Sequence, residues 1–96
     1  MSDVIAAAVE ALNTKLGENR LDGSAKFIIG DEGSVVIDGA GVRASDEDTD
    51  VSLTADTEIF QDILAGDLDP TAAFMAGNLS VDGDMQMAMQ LAGLLS

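Results

Sequence analysis

The residues with the most obvious chemical potential in this 96-residue chain are five consecutive polar positions, Asp46-Glu47-Asp48-Thr49-Asp50. They have the D-x-D-x-D start of a calcium loop. The sixth position of such a loop needs Gly and here is Val51. The twelfth needs a bidentate Glu and here is Thr57. The spacing therefore predicts a solvated acidic connection, not a cation site. A second motif, Gly39-Ala40-Gly41-Val42-Arg43-Ala44, matches G-x-G-x-x-A after an expected strand. A dinucleotide fingerprint needs a helix N-terminus next, to hold the pyrophosphate. Acidic sequence follows instead and would repel phosphate, so a hairpin turn is the expectation. Lys26, between Ala25 and Phe27, could act as a base if buried; its place in a strand pattern predicts that it points to solvent.

Other catalytic routes are closed by composition. The chain has no His and no Cys. The commonest general base, the commonest transition-metal ligand and a thiol nucleophile are therefore missing. Ser and Thr hydroxyls have no imidazole to activate them. With 18 acidic residues in the chain, neighbouring carboxylates are expected by chance. No catalytic constellation, metal site or cofactor site emerges, and a non-enzyme is expected.

The net charge of −14, with Lys15, Arg20, Lys26 and Arg43 as the only cations, argues against nucleic acid. It also argues against electrostatic docking on anionic membranes. No apolar run approaches the ~18 residues of a membrane span. The N-terminus lacks signal-peptide shape, and the Leu94-Leu95-Ser96 ending is not a peroxisomal address. One domain over residues 1–96, in the cytoplasm, is the expectation.

Elements follow from periodicity and caps. A helix is expected from an Asp3 cap to Leu16, with Ile5, Val9, Leu12 and Leu16 buried and Gly17 as its stop. A polar loop covers 18–23. Strands are expected at 26–29, 35–37, 42–44 and 51–54, with turns at 30–33 and 38–41. Asp56 should cap a helix with Ile59, Phe60, Ile63 and Leu64 on its stripe, ended by Gly66. Asp69-Pro70 starts another helical segment, a strand is expected at 79–81, and Asp84 should cap a last helix from Met85 to Leu95. The last strand, separated from the others by helices, could pair parallel. The order predicts an α+β fold, a mostly antiparallel sheet with helices on one face.

The last helix is the least ordinary element. Gln86 and Gln90 are its two polar side chains. They share a narrow stripe with Gly93 at ~100° per residue, and Met, Leu and Ala fill the rest. That is more apolar surface than one packing face covers. The surplus predicts an apolar ligand cavity of ~300–1,000 Å³ or a contact with another subunit or enzyme. Flexible methionines suit such a lining. Gln86 and Gln90 become candidates to bind a polar head if their stripe faces the cavity mouth.

The run from Phe60-Gln61-Asp62-Ile63-Leu64-Ala65-Gly66 through Asp69-Pro70-Thr71-Ala72-Ala73-Phe74 and Gly77-Asn78-Leu79-Ser80-Val81-Asp82-Gly83-Asp84-Met85 resembles the sterol carrier protein 2 (SCP-2) sterol transfer domain. The shared pattern is Pro-x-x-Ala-Phe, then Gly-x-Leu-x-Val-x-Gly-Asp-Met, then a Met/Leu/Ala helix. The likeness is tight from about Asp50 to Leu95 and looser before it. It implies a five-stranded, mostly antiparallel sheet covered on one face by helices, with an apolar tunnel between them. It implies non-catalytic binding and transfer of fatty acids, fatty acyl-CoA or sterol-like lipids. The positions carried over as lipid-binding are Phe60, Ile63, Phe74, Met75, Met85, Met87, Met89, Leu91, Leu94 and Leu95. No cofactor is implied. The alternative is an interaction module whose last helix mediates dimerisation or docks on a partner enzyme. This chain departs from the animal forms in being short and acidic, and a fatty-acid-like guest is at least as good a fit as a sterol.

Overall fold

The computed structural model describes residues 3–19 and 21–95; Arg20 of the expected polar loop and the C-terminal Ser96 lie outside the described residues. The order is α1 (Asp3–Leu16), β1 (Ala25–Ile29), β2 (Gly33–Asp38), β3 (Gly41–Ala44), β4 (Val51–Ala55), α2 (Thr57–Ala65), α3 (Pro70–Met75), β5 (Leu79–Gly83) and α4 (Met85–Leu95). The strands form one sheet in the order β3-β2-β1-β4-β5. All neighbours pair antiparallel except β1 and β4, which run parallel. The parallel pair thus falls in the centre of the sheet. The last strand, which could have been the parallel one, pairs antiparallel with β4. It also runs two residues further than expected, because Asp82 pairs with Ser52 and Gly83 with Val51.

Alternation along the strands builds the core. Ala25, Phe27 and Ile29 are buried on β1, Val35 and Ile37 on β2, and Val51, Leu53 and Ala55 on β4. Register lines up Phe27, Leu53 and Val81 across three adjacent strands. α1 lies over β2 and β3. Its buried stripe is Ile5, Ala8, Leu12 and Leu16; Val9, expected on that stripe, sits half-buried at its border. From α2, Phe60 and Ile63 enter the core, and the Phe60 ring meets Phe27 at 4.9 Å between centroids, tilted by 59°, a favourable aromatic geometry.

Helix ends follow the caps in part. Asp69 Oδ1 accepts from the Thr71 N–H, with Pro70 at the first helical position. Asp84 Oδ1 accepts from the Gln86 and Met87 N–H groups. Asp56 holds the cap position of α2 in extended backbone but makes no side-chain cap bond. Asp3, expected to cap α1, instead lies within its first turn, where a carboxylate complements the helix dipole. Gly66 ends α2 in the left-handed conformation.

The acidic segment 45–50 is a strap. It carries the chain from the edge strand β3 across the sheet to β4, on the face away from the helices. Lys26, Ser34 and Arg43 alternate with core residues and point to that outer face. Lys26 Nζ lies 3.5 Å from Asp46 Oδ1, Ser34 Oγ donates to the Ser45 carbonyl at 2.7 Å, and Arg43 pairs with Glu47 and with Asp38, the latter at 2.9 Å. Lys26 was expected in solvent, yet only 13% of its side chain is exposed. Val36, in register with Lys26 and Arg43, is 0% exposed although it faces away from the core. The strap explains three consecutive buried residues in β2, a pattern that alternation alone does not produce.

Candidate functional site

The Gly39-Ala40-Gly41 segment is a hairpin turn. Asp38 pairs with Gly41 across β2 and β3, and the Ala40 N–H donates to Asp38 Oδ1 at 2.9 Å, so a carboxylate occupies the site a phosphate would need. The Asp46, Glu47 and Asp50 carboxylates are spent on Lys26, Arg43 and the Ser24 backbone N–H, respectively. Among the described residues, no group of three or more acidic, His or Cys side chains could hold a metal ion.

The apolar alternative has a definite place. Between the sheet and the last two helices lies a pocket floored by the Phe27–Leu53–Val81 row and Leu79. Its walls are Pro70, Thr71 and Phe74 of α3, and Met85, Ala88, Met89, Leu91, Ala92 and Leu95 of α4. Thr71 is the one hydroxyl-bearing residue among them, and its hydroxyl adds no polar surface to the pocket. Pro70 is buried at the start of α3, and Asp69 locks that first turn, so the α3 wall is fixed by the Asp-Pro pair. The free volume is about 50 Å³, below the expected range for ligand cavities. The reason is visible in the lining: Leu91 and Leu95 are nearly fully buried and close the space from the α4 side. The rim is different. Phe74 is 42% exposed, Met85 46% and Met89 63%. Met85 and Met89 bring unbranched, flexible side chains to that rim.

Two other concavities are open surface depressions. One of about 320 Å³ runs between α1 and α2, lined by Val4, Ala7, Ala8, Ala11, Phe60, Gln61, Leu64 and Ala65. One of about 540 Å³ lies at the β1–β2 turn and includes Asp31, Glu32 and Asp46.

A profile of the SCP-2 sterol transfer family matches residues 4–96. The chain belongs to that family. The solution structure of Aedes aegypti sterol carrier protein 2 in complex with palmitate covers 100% of this chain and 97% of its own, at 22% identity and TM-score 0.75. The crystal structure of sterol carrier protein 2 like 2 from the same mosquito aligns over 94% of each chain at 19% identity and TM-score 0.77. These two share the fold. Hydroxysteroid dehydrogenase-like protein 2 of Danio rerio is 40% identical over 47 residues, which is 49% of this chain and 11% of that protein. The present chain thus matches a small part of that relative's length.

Within this SCP-2 chain, the ten positions marked in the sequence fall into distinct places. Phe74, Met85, Met89, Leu91 and Leu95 line the pocket. Phe60 and Ile63 belong to the core, Phe60 behind the pocket floor through its contact with Phe27. Met87 packs over Gly23, where an added Cβ would come within 2.5 Å of its Cε. Leu94 packs half-buried against the core. Met75 is 81% exposed and is not part of the pocket wall. Gln86 and Gln90 do not line the pocket either, so the Gln stripe faces away from the mouth. The floor residues Leu53, Leu79 and Val81 escaped notice because alternating strand residues look like ordinary core. Ala88 and Ala92 were missed because alanine signals nothing until its neighbours are known.

Proposed function

We propose that this chain binds a lipid-like molecule in the pocket between β1, β4, β5, α3 and α4, and acts as a non-catalytic carrier. The observation that carries this reading is a wholly apolar lining that ends in an exposed, flexible rim of Phe74, Met85 and Met89. Burial of each methylene contributes about 0.8 kcal/mol, so roughly ten buried carbons supply the ~8 kcal/mol of micromolar affinity. Accommodating a longer chain requires the rim side chains to move outward. The relative holding palmitate supports a lipid as the guest. The absence of His and Cys from the chain supports binding without chemistry.

Native mass spectrometry of protein purified without detergent, together with displacement of the uncharged dye Nile red by long-chain lipids of several head groups, tests the proposal. Saturable binding with one lipid per chain is expected. No bound or displacing lipid of any head group would sink it. A second reading rests on Met75, which adds exposed apolar surface beside the rim. In it, this face docks on a twin subunit or a partner enzyme. A stable dimer in light scattering that binds no dye would favour that reading.

A further inference from the structure

Methionine is the one readily oxidised side chain in this protein. The chain has five Met and no Cys, His, Trp or Tyr, so a mild oxidant meets no thiol, imidazole, indole or phenol. It meets thioethers, which oxidise reversibly to sulfoxides. Four of the five, Met75, Met85, Met87 and Met89, fall in three different environments. Met85 and Met89, one turn apart on α4, are exposed and also line the pocket. Met75 is the most exposed of the four but is not part of the wall. Met87 packs partly buried against the core.

The position of the first pair matters because the lining is otherwise apolar. Phe74, Ala88 and Ala92 in the same walls hold no hydrogen-bonding side chain. A sulfoxide turns the flexible apolar side chain into a polar one with a strong acceptor oxygen. Seating an apolar guest against it strips water from that oxygen, and the walls offer no donor in exchange. In the empty pocket the oxygen stays in solvent, because both side chains are exposed, so the fold itself bears little cost.

We propose that Met85 and Met89 form an oxidative modification site at the pocket mouth. Hydrogen peroxide or an organic hydroperoxide converts their thioethers to sulfoxides and thereby weakens the hold on a lipid-like guest, an inference that rests on the lipid-binding reading above. In the step, a sulfur lone pair attacks the outer peroxide oxygen. The O–O bond breaks, an S–O bond forms, and water leaves (an alcohol, from an organic hydroperoxide). Sulfur gives up one electron pair and the peroxide takes it. The chain has no Cys of its own, so the reverse step draws on an external dithiol through methionine sulfoxide reductases. The sulfoxide oxygen then leaves as water and the dithiol becomes a disulfide.

Graded hydrogen peroxide tests this on the full chain. Peptide mass spectrometry locates each sulfoxide, Nile red titration reads affinity, and circular dichroism reads the fold. Met75, Met85 and Met89 should oxidise ahead of Met87. Dye affinity should fall about tenfold as positions 85 and 89 are oxidised. The A- and B-type sulfoxide reductases with dithiothreitol should restore it. Met75→Leu should show the same fall. The volume-conserving double variant Met85→Leu, Met89→Leu should lose less than about twofold on the same treatment. Met85→Gln, Met89→Gln, which puts amide oxygens at the rim, should bind the dye more weakly than the native chain with no oxidant added. Native affinity in a folded chain carrying both sulfoxides overturns the inference while leaving lipid binding intact. So does oxidation of Met87 ahead of the rim pair, a fall that Met75→Leu abolishes, or a fall that tracks loss of the fold. No dye binding by the untreated chain overturns the lipid reading and the inference together.

Discussion

Ser24 and Asp50 exchange two hydrogen bonds across 26 positions of sequence: the Ser24 N–H donates to Asp50 Oδ2 at 3.1 Å, and the Asp50 N–H donates to Ser24 Oγ at 3.0 Å. The Asp50 carbonyl also accepts from the Asp84 N–H at 3.0 Å. One residue therefore ties together the entry to β1, the end of the strap with the start of β4, and the start of α4. The start of α4 is registered on the sheet at this point.

Asp50→Ala should lower unfolding free energy by about 1–2 kcal/mol, because it removes a charged acceptor from a backbone N–H. Asp50→Asn, which keeps an acceptor oxygen, should cost less than half as much. Urea unfolding of the two variants reads the difference. Equal losses would mean that the side-chain bond to Ser24 does not matter.

Gly83 should be intolerant for a related reason. Its φ is 112°, and a Cβ there would lie 2.5 Å from the Asp50 carbonyl oxygen and 3.0 Å from Val51 Cα. Gly83→Ala must strain its own backbone and displace the start of β4, for a loss of at least about 2 kcal/mol. Gly77 has φ of 83° but open space around it, so Gly77→Ala should cost only the left-handed penalty of about 1–2 kcal/mol. Thermal melts of the pair separate close approach from backbone conformation.

Phe60 and Met75, both marked from sequence as lipid contacts, should behave oppositely. Phe60 is 1% exposed and packs its ring, tilted, against Phe27; Phe60→Ala should destabilise by about 3–5 kcal/mol. Met75→Ala, at an exposed position, should stay within about 0.5 kcal/mol of the native protein. Chemical denaturation of both variants is sufficient to check this.

Asp38 offers a pH handle. The Arg43 guanidinium, through its hydrogen bond, and then the Ala40 N–H hold its carboxyl below the usual 3.8. A carboxyl whose folded value is depressed contributes stability that is present above the unfolded value. That stability is lost as pH falls through the lower folded value. Carbon-detected NMR titration should find Asp38 below 3.8 in the native protein. In Arg43→Gln it should rise toward the ordinary value, and the acid limb of the stability curve should become shallower, because the carboxyl then takes up its proton at nearly the same pH in the folded and unfolded chain. An unmoved titration would show that Arg43 does not hold the carboxylate in solution.

The helices and strands were legible because their signals are local. Asp69-Pro70 announces α3, Gly66 stops α2, and Val51-Ser52-Leu53-Thr54 alternates as a half-buried strand does. What the sequence left open depended on distant partners. Lys26 reads as a solvent residue until its pairing with Asp46 is seen, and the strap that links β3 to β4 has an acidity that looks like plain solubility. The pocket was half legible: Met85, Met89, Leu91 and Leu95 stand out on an unusually apolar helix. Its floor is drawn from three adjacent strands, β1, β4 and β5, distant in sequence, whose common row exists only in the register Phe27–Leu53–Val81. Its size was overestimated, because apolar surplus in a helix does not distinguish a cavity from a space that its own leucines fill.

Ala92 gives the most direct test of where a lipid sits. It is a half-buried wall residue of α4 that leaves the core cluster untouched. Ala92→Leu adds three carbons to a space of about 50 Å³ and has a partly open side into which the branch can lean. The overpacking cost should therefore fall at or below the low end of the usual ~1–3 kcal/mol. Nile red affinity should drop about tenfold, equivalent to ~1.4 kcal/mol. Gln61→Leu in the α1–α2 depression should leave dye binding unchanged. The reverse pattern, with Ala92→Leu silent and Gln61→Leu altering affinity, would move the lipid site to the groove between α1 and α2.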